Sequence, residues 1–144
     1  MQENSIETRF RALEKELAER APQGGVALLA VSKTFGIEAV EAAWRAGARR
    51  FGENYVQEGV EKCRLFRERH PDAKVEWHFI GSLQSNKTRP VAETFDWVQT
   101  IDRVKIAERL SAQRPENLAP LNVLIEVNAD GEATKSGVSW DEIE

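Results

Sequence analysis

The stretch VALLAVSKTFG, residues 26–36, holds the key to the fold. Apolar residues run from Val26 to Val31 without a polar interruption, as in strands of parallel sheets that are buried on both faces. The run stops at Ser32-Lys33-Thr34 and a helical pattern opens after Gly36, so the segment predicts a strand near 26–32 and a helix near 37–46. Working outward, the same order returns. Further strands are expected near 49–52, 75–80, 96–100 and 121–127, with helices near 55–69, 86–94 and 103–113. The short connections favour parallel strands joined by right-handed crossovers, hence an α/β class with one sheet. Upstream, IETRFRALEKELAER places Ile6, Phe10, Leu13 and Leu17 on one stripe, an amphipathic helix at about 5–20 added to the body of a single domain over 1–144.

The totals limit what this sheet can serve. The chain has 144 residues, 41% of them apolar, which suits one core. A formal charge of -4 without long like-charged blocks argues against nucleic-acid binding and leaves room for a local cationic site that takes a small anion. No apolar run approaches the roughly 20 residues of a membrane span, and the polar opening MQENSIETRF lacks a signal-peptide core; the expectation is cytoplasmic, with no membrane partner. Cys63 has no second cysteine to pair with and reads as a helix core position. The chain ends in SGVSWDEIE, where Ser139 and Glu142 have capping-box spacing at a helix start, so it reads as a piece of a longer protein.

In open α/β sheets and in barrels alike, functional groups gather at the carboxyl ends of parallel strands. Here those ends carry Ser32-Lys33-Thr34, Gly52-Glu53-Asn54-Tyr55, His78 through Asn86, Thr100 and Asp102, and Asn128. Lys33 shares strand parity with Ala27, Leu29 and Val31. Loss of hydration at such a place favours the neutral amine that attacks a carbonyl; a snorkelling lysine, or one paired with Glu53, is the bland alternative. Alternation puts Glu76, His78 and Ile80 on one face, so His78 either meets a bound ring or is a satisfied core histidine. On the fifth strand Asn122, Leu124, Glu126 and Asn128 share a face, and a mid-strand carboxylate must be paired or reach solvent; Lys33 and Lys135 are the candidate mates of Glu126. No cysteine or histidine spacing fits a metal site, since His70 sits before Pro71 in a helix-terminal turn. GSLQSNKT, residues 81–88, follows the phosphate-loop spacing at Gly81, Lys87 and Thr88, but Asn86 replaces the second glycine and no later strand supplies a magnesium-holding aspartate.

Four motifs in order, AVSKTFG (30–36), FGENYVQE (51–58), WHFIGSLQSNKT (77–88) and IEVNADGEATKSG (125–137), resemble the pyridoxal phosphate homeostasis proteins. That family is similar to the barrel domain of alanine racemase without the racemase's second domain. The resemblance implies a TIM-type (β/α)8 barrel, of which this chain covers roughly the first five units. It also implies a protein that binds pyridoxal 5'-phosphate as a Schiff base on Lys33, the internal aldimine lysine, without established catalytic turnover. Asn54, His78 and Asn128 would line the coenzyme pocket, with Ser82, Asn86 and Lys87 near the same rim. The implied role is vitamin B6 and amino-acid balance, with amino acids and transiently contacted pyridoxal-phosphate enzymes as partners besides the coenzyme. Three departures stand out. Ser82 replaces a common histidine, Glu126 replaces a common glutamine, and the later strands with the family's phosphate cradle and pyridine-side arginine are not in the sequence. A pyridoxal-dependent racemase, with Tyr55 as the second acid or base, and a Schiff-base aldolase are the enzyme alternatives. A noncatalytic interaction domain is the third class.

Overall fold

The computed structural model describes residues 2–143. In chain order the elements are α1 (Gln2–Arg20), β1 (Ala30–Val31), α2 (Ile37–Arg45), β2 (Arg50–Glu53), α3 (Val56–Arg69), β3 (Glu76–Phe79), α4 (Thr88–Thr94), β4 (Trp97–Ile101), α5 (Val104–Gln113) and β5 (Asn122–Ile125). Single 3-10 turns lie at Ser85–Lys87 and Trp140–Glu142. The second of these carries the reciprocal Ser139–Glu142 capping box that the sequence spacing predicts.

All strands are parallel, in the spatial order β1-β2-β3-β4-β5. A doubly wound sheet reverses its order at a switch point, whereas right-handed crossovers that always step the same way leave every helix on one face. These are therefore four successive βα units and the strand of a fifth, part of a (β/α)8-type barrel. Alternation sorts the side chains accordingly. Phe51, Trp77, Phe79 and Val98 point under the helices and are buried with Val40, Phe66, Val91, Ile106 and Leu110. Phe51 and Trp77, register partners on β2 and β3, stack with centroids 5.3 Å apart. The other face presents the register row Val31, Gly52, His78, Trp97 and Asn122.

β1 is shorter than the apolar run predicts. Ala30 pairs with Phe51 and Val31 with Gly52, and β2 begins only at Arg50, so Val26–Leu28 lie ahead of any strand that could bond to them. Ser32 extends the ladder by one bond, its amide donating to the Gly52 carbonyl at 2.9 Å. β5 is exposed along its whole length, because no described helix covers its outer side. On α1, Phe10 is buried while Leu13 remains exposed, so the predicted stripe is only partly covered. Cys63 is a core residue, its thiol pushed up to about 12 by burial, and is inert as a nucleophile.

Candidate functional site

Lys33 stands at the carboxyl end of β1 in an exposed turn, with Thr34 beside it at φ 67°. A β-branched residue in the left-handed region is held there by its surroundings. The holding groups come from β2 and α3. Lys62 donates to the Ser32 carbonyl at 2.7 Å, to the two Glu53 carboxylate oxygens at 3.1 and 3.0 Å, and to Glu58 at 3.0 Å. The Ser32 hydroxyl donates to Glu53, and the Thr34 amide donates to Glu58. Glu53 and Lys62 are both buried, so each compensates a charge that alone would be costly to remove from water. Burial opposes ionisation of Glu58, but the Lys62 and Thr34 hydrogen bonds outweigh it and hold its carboxyl below the usual range.

Gly59 allows this approach of α3 to β2. A Cβ there would lie 2.8 Å from the Phe95 ring and 3.0 Å from the Glu53 Cβ. One turn further along α3, Lys62 can then reach the buried carboxylate. The sequence reading missed this clamp, although Glu58 and Lys62 stand four apart in the favourable order on the predicted helix. Its counterpart, a Glu53–Lys33 pair, does not form. Lys62 takes the carboxylate, and Lys33 enters none of the ion pairs among the described residues.

The expected desolvation of Lys33 is corrected by its exposure. β1 is an edge strand among the described residues, and Lys33 and Thr34 in the turn that follows it are exposed. Asn54, at the end of β2, is half-buried and its Oδ1 is buried without a hydrogen-bond partner, an acceptor left for another donor. The backbone of Gly81 passes so close that a Cβ at that position would sit 2.0 Å from the Asn54 carbonyl oxygen.

His78 is a satisfied histidine. Gln99 Nε2 donates to its Nδ1 at 2.9 Å, its Nε2 lies 3.2 Å from Glu76 Oε1, and Trp97 stacks on the ring at 5.3 Å and 6°. Both bonds suit the neutral ring with hydrogen on Nε2. Burial lowers its proton affinity and prevails over the Glu76 hydrogen bond and carboxylate that raise it. Its nitrogens are thus spoken for within the sheet.

Asn128 turns to its own loop, where Nδ2 donates to the Glu132 carbonyl at 2.8 Å and Oδ1 accepts the Glu132 amide at 3.3 Å. Ser82 is exposed with its hydroxyl 3.5 Å from that of Ser136, which brings the loop after β3 against the loop after β5. Asn86 and Lys87 are exposed on the 3-10 turn before α4. Glu126 pairs with neither Lys33 nor Lys135; burial first, and the nearby Asp102 second, hold its carboxyl above the usual range. The phosphate-loop reading of 81–88 fails on Thr88, which is buried with its hydroxyl 2.7 Å from Gln113 Oε1 and so is not free for a metal ion. Among the described residues no cluster of ligating side chains could hold a metal ion.

A family model for the alanine racemase N-terminal domain matches residues 7–144. The chain belongs to that family. It is 66% identical over 116 residues, 81% of this chain and 49% of the relative, to the pyridoxal phosphate homeostasis protein of Vibrio cholerae. PipY of Synechococcus elongatus PCC7942, solved without PLP, superposes with TM-score 0.71 at 36% identity over 86% of this chain and 57% of PipY. The form with PLP bound gives 0.58 at 38% identity over 69% and 46%. Alanine racemase from Corynebacterium glutamicum, at 19% identity, shares the fold with TM-score 0.64 over 97% of this racemase-domain chain and 38% of its own. The chain spans about half the length of the curated relatives it matches.

Proposed function

We propose that this racemase-domain chain is the lysine-bearing part of a cytoplasmic pyridoxal 5'-phosphate carrier that binds the coenzyme covalently through Lys33 and performs no turnover. The observation that carries the proposal is the exposed Lys33 side chain at the carboxyl end of β1, free of ion pairs among the described residues and set between Ser32 and Thr34, whose backbone groups bond to Lys62 and Glu58. When bound, pyridoxal 5'-phosphate supplies an aldehyde that condenses with a primary amine with loss of one water.

The residues present fit that group in part. Lys33 offers the amine, the orphaned Asn54 Oδ1 offers an acceptor at the neighbouring strand end, and His78 with Trp97 forms a flat wall on the same sheet face. Asn128 and Ser82 join the rim loops instead of presenting free donors. Asn86 and Lys87 remain exposed and unpaired by ions among the described residues, open to an anionic group. The close similarity to proteins named for pyridoxal phosphate homeostasis, and to a PipY structure with PLP bound, supports the same ligand here.

The test is addition of pyridoxal 5'-phosphate, borohydride reduction and peptide mapping. One adduct per chain on Lys33, lost in Lys33→Ala, is expected; labelling scattered over surface lysines and unchanged in Lys33→Ala would overturn the proposal. Loss of optical activity from an added amino acid by the loaded chain would replace the carrier reading with the racemase.

A further inference from the structure

We infer that Lys62, Glu53 and Glu58 form a positioning device for Lys33, setting the direction of its amine from behind the sheet. This rests on the coenzyme reading of Lys33. Lys33 itself makes no ion pair with any of the three. They grip its neighbours: Ser32 through its carbonyl and hydroxyl, and Thr34 through its amide. The peptide units on both sides of the Lys33 Cα are thereby fixed, and Thr34 is kept at φ 67°, a conformation a threonine does not hold unaided.

The device is buried where the lysine is exposed. Glu53 and Lys62 lie between the sheet and α3, on the side opposite the rim's open face. An amine on a free turn would sweep many directions; a fixed Cα confines it to the rotamers of one side chain. The buried ion pair is an expensive way merely to join a helix to a sheet, and replacing such pairs by apolar residues is often neutral for stability. Its presence next to a strained turn is accounted for by the geometry it imposes on that turn.

The experiment compares four full chains: wild type, Glu53→Gln/Lys62→Met, Glu58→Gln and Lys62→Arg. Each is mixed with pyridoxal 5'-phosphate, and two quantities are read: the rate of borohydride-trapped adduct at Lys33, and the induced circular dichroism of the coenzyme band, which requires a fixed orientation. The double variant removes both buried charges together. Glu58→Gln, at a partly exposed position, weakens the Thr34 anchor and the outer Lys62 contact while leaving the buried Glu53–Lys62 pair, and it carries the test should the double variant fail to fold.

We expect a folded variant to trap the adduct at least tenfold more slowly and to lose most of the induced ellipticity while its far-ultraviolet spectrum stays that of wild type. Lys62→Arg, which keeps cationic donors at that position, should retain part of both. Wild-type rate and ellipticity in a folded double variant, or in Glu58→Gln if only that one folds, would overturn the positioning role alone. A wild-type chain with no adduct on Lys33 would remove the coenzyme reading and this inference with it.

Discussion

Gly81 has no room for a methyl group. With the Asn54 carbonyl oxygen 2.0 Å from where a Cβ would stand, Gly81→Ala must push the ends of β2 and β3 apart, and a loss of about 3 kcal/mol is expected from urea unfolding. An unchanged midpoint would show that the two loops are not held together. Lys62→Met alone leaves Glu53 as an unpaired buried carboxylate and should cost about 3–5 kcal/mol, far more than the paired removal in Glu53→Gln/Lys62→Met. Comparable losses in the two chains would mean that the pair is not coupled.

His78 supplies a pH dependence whose sign follows from its environment. Folded His78 binds its proton less readily than an unfolded histidine, which titrates near about 6.5. As pH falls below that value the unfolded chain gains a proton that the folded chain resists, so stability drops; above it this contribution is absent. The Glu76 and Asp96 carboxylates oppose the shift and the Arg50 guanidinium adds to it, but burial dominates. Stability measured in urea at pH 7.5 and 5.5 should therefore fall more in wild type than in His78→Gln, whose amide can keep a bond to Gln99. An equal drop in both would assign the acid sensitivity elsewhere.

At the scale of elements, neighbouring strands differ in what covers them. Val98 on β4 and Val123 on β5 are register partners, yet Val98 is 0% exposed and Val123 48%. Deleting two methyl groups from Val98 should cost roughly 2 kcal/mol, whereas Val123→Ala should cost about 0.5 kcal/mol or less. Equal costs would require a partner over β5 in solution. The same contrast separates β1 from β2. Only Ala30 and Val31 pair in β1, while all four residues of β2 are tied to β3. The amides of the central strands are thus expected to exchange more slowly than those of either edge.

Taken as a whole molecule, the sheet is open. Among the described residues β1 and β5 each present an unpaired edge, and beside β1 lies an apolar groove of about 220 Å³ lined among others by Ile6, Phe10, Leu13, Val31 and Phe35. Exposed edges and apolar grooves recruit other chains. Sedimentation at rising concentration should show association, and Val31→Lys with Ile125→Lys, which puts a charge on each edge, should shift the chain toward the monomer. A wild-type chain that stays monomeric throughout would mean that the edges are protected in solution.

The order of strands and helices was legible in the sequence because each element carries its own period: the apolar runs of β1 and β5, the FGEN and EWHF strand ends, and the helical stripe containing Val60, Cys63 and Phe66 are local signals. The rim was legible too, since the predicted strand ends place Lys33 and Asn54 after β1 and β2 and put His78 near the end of β3. What each rim residue does was decided only by the tertiary structure. Parity could not show that His78 would be satisfied by Gln99 and Trp97 from β4, or that Glu53 would choose Lys62 over Lys33. Those outcomes depend on which of several donors the fold places within hydrogen-bond distance, and that is fixed by the close approach of α3 over Gly59 and by the bonds between neighbouring strands, contacts that no single stretch of sequence contains.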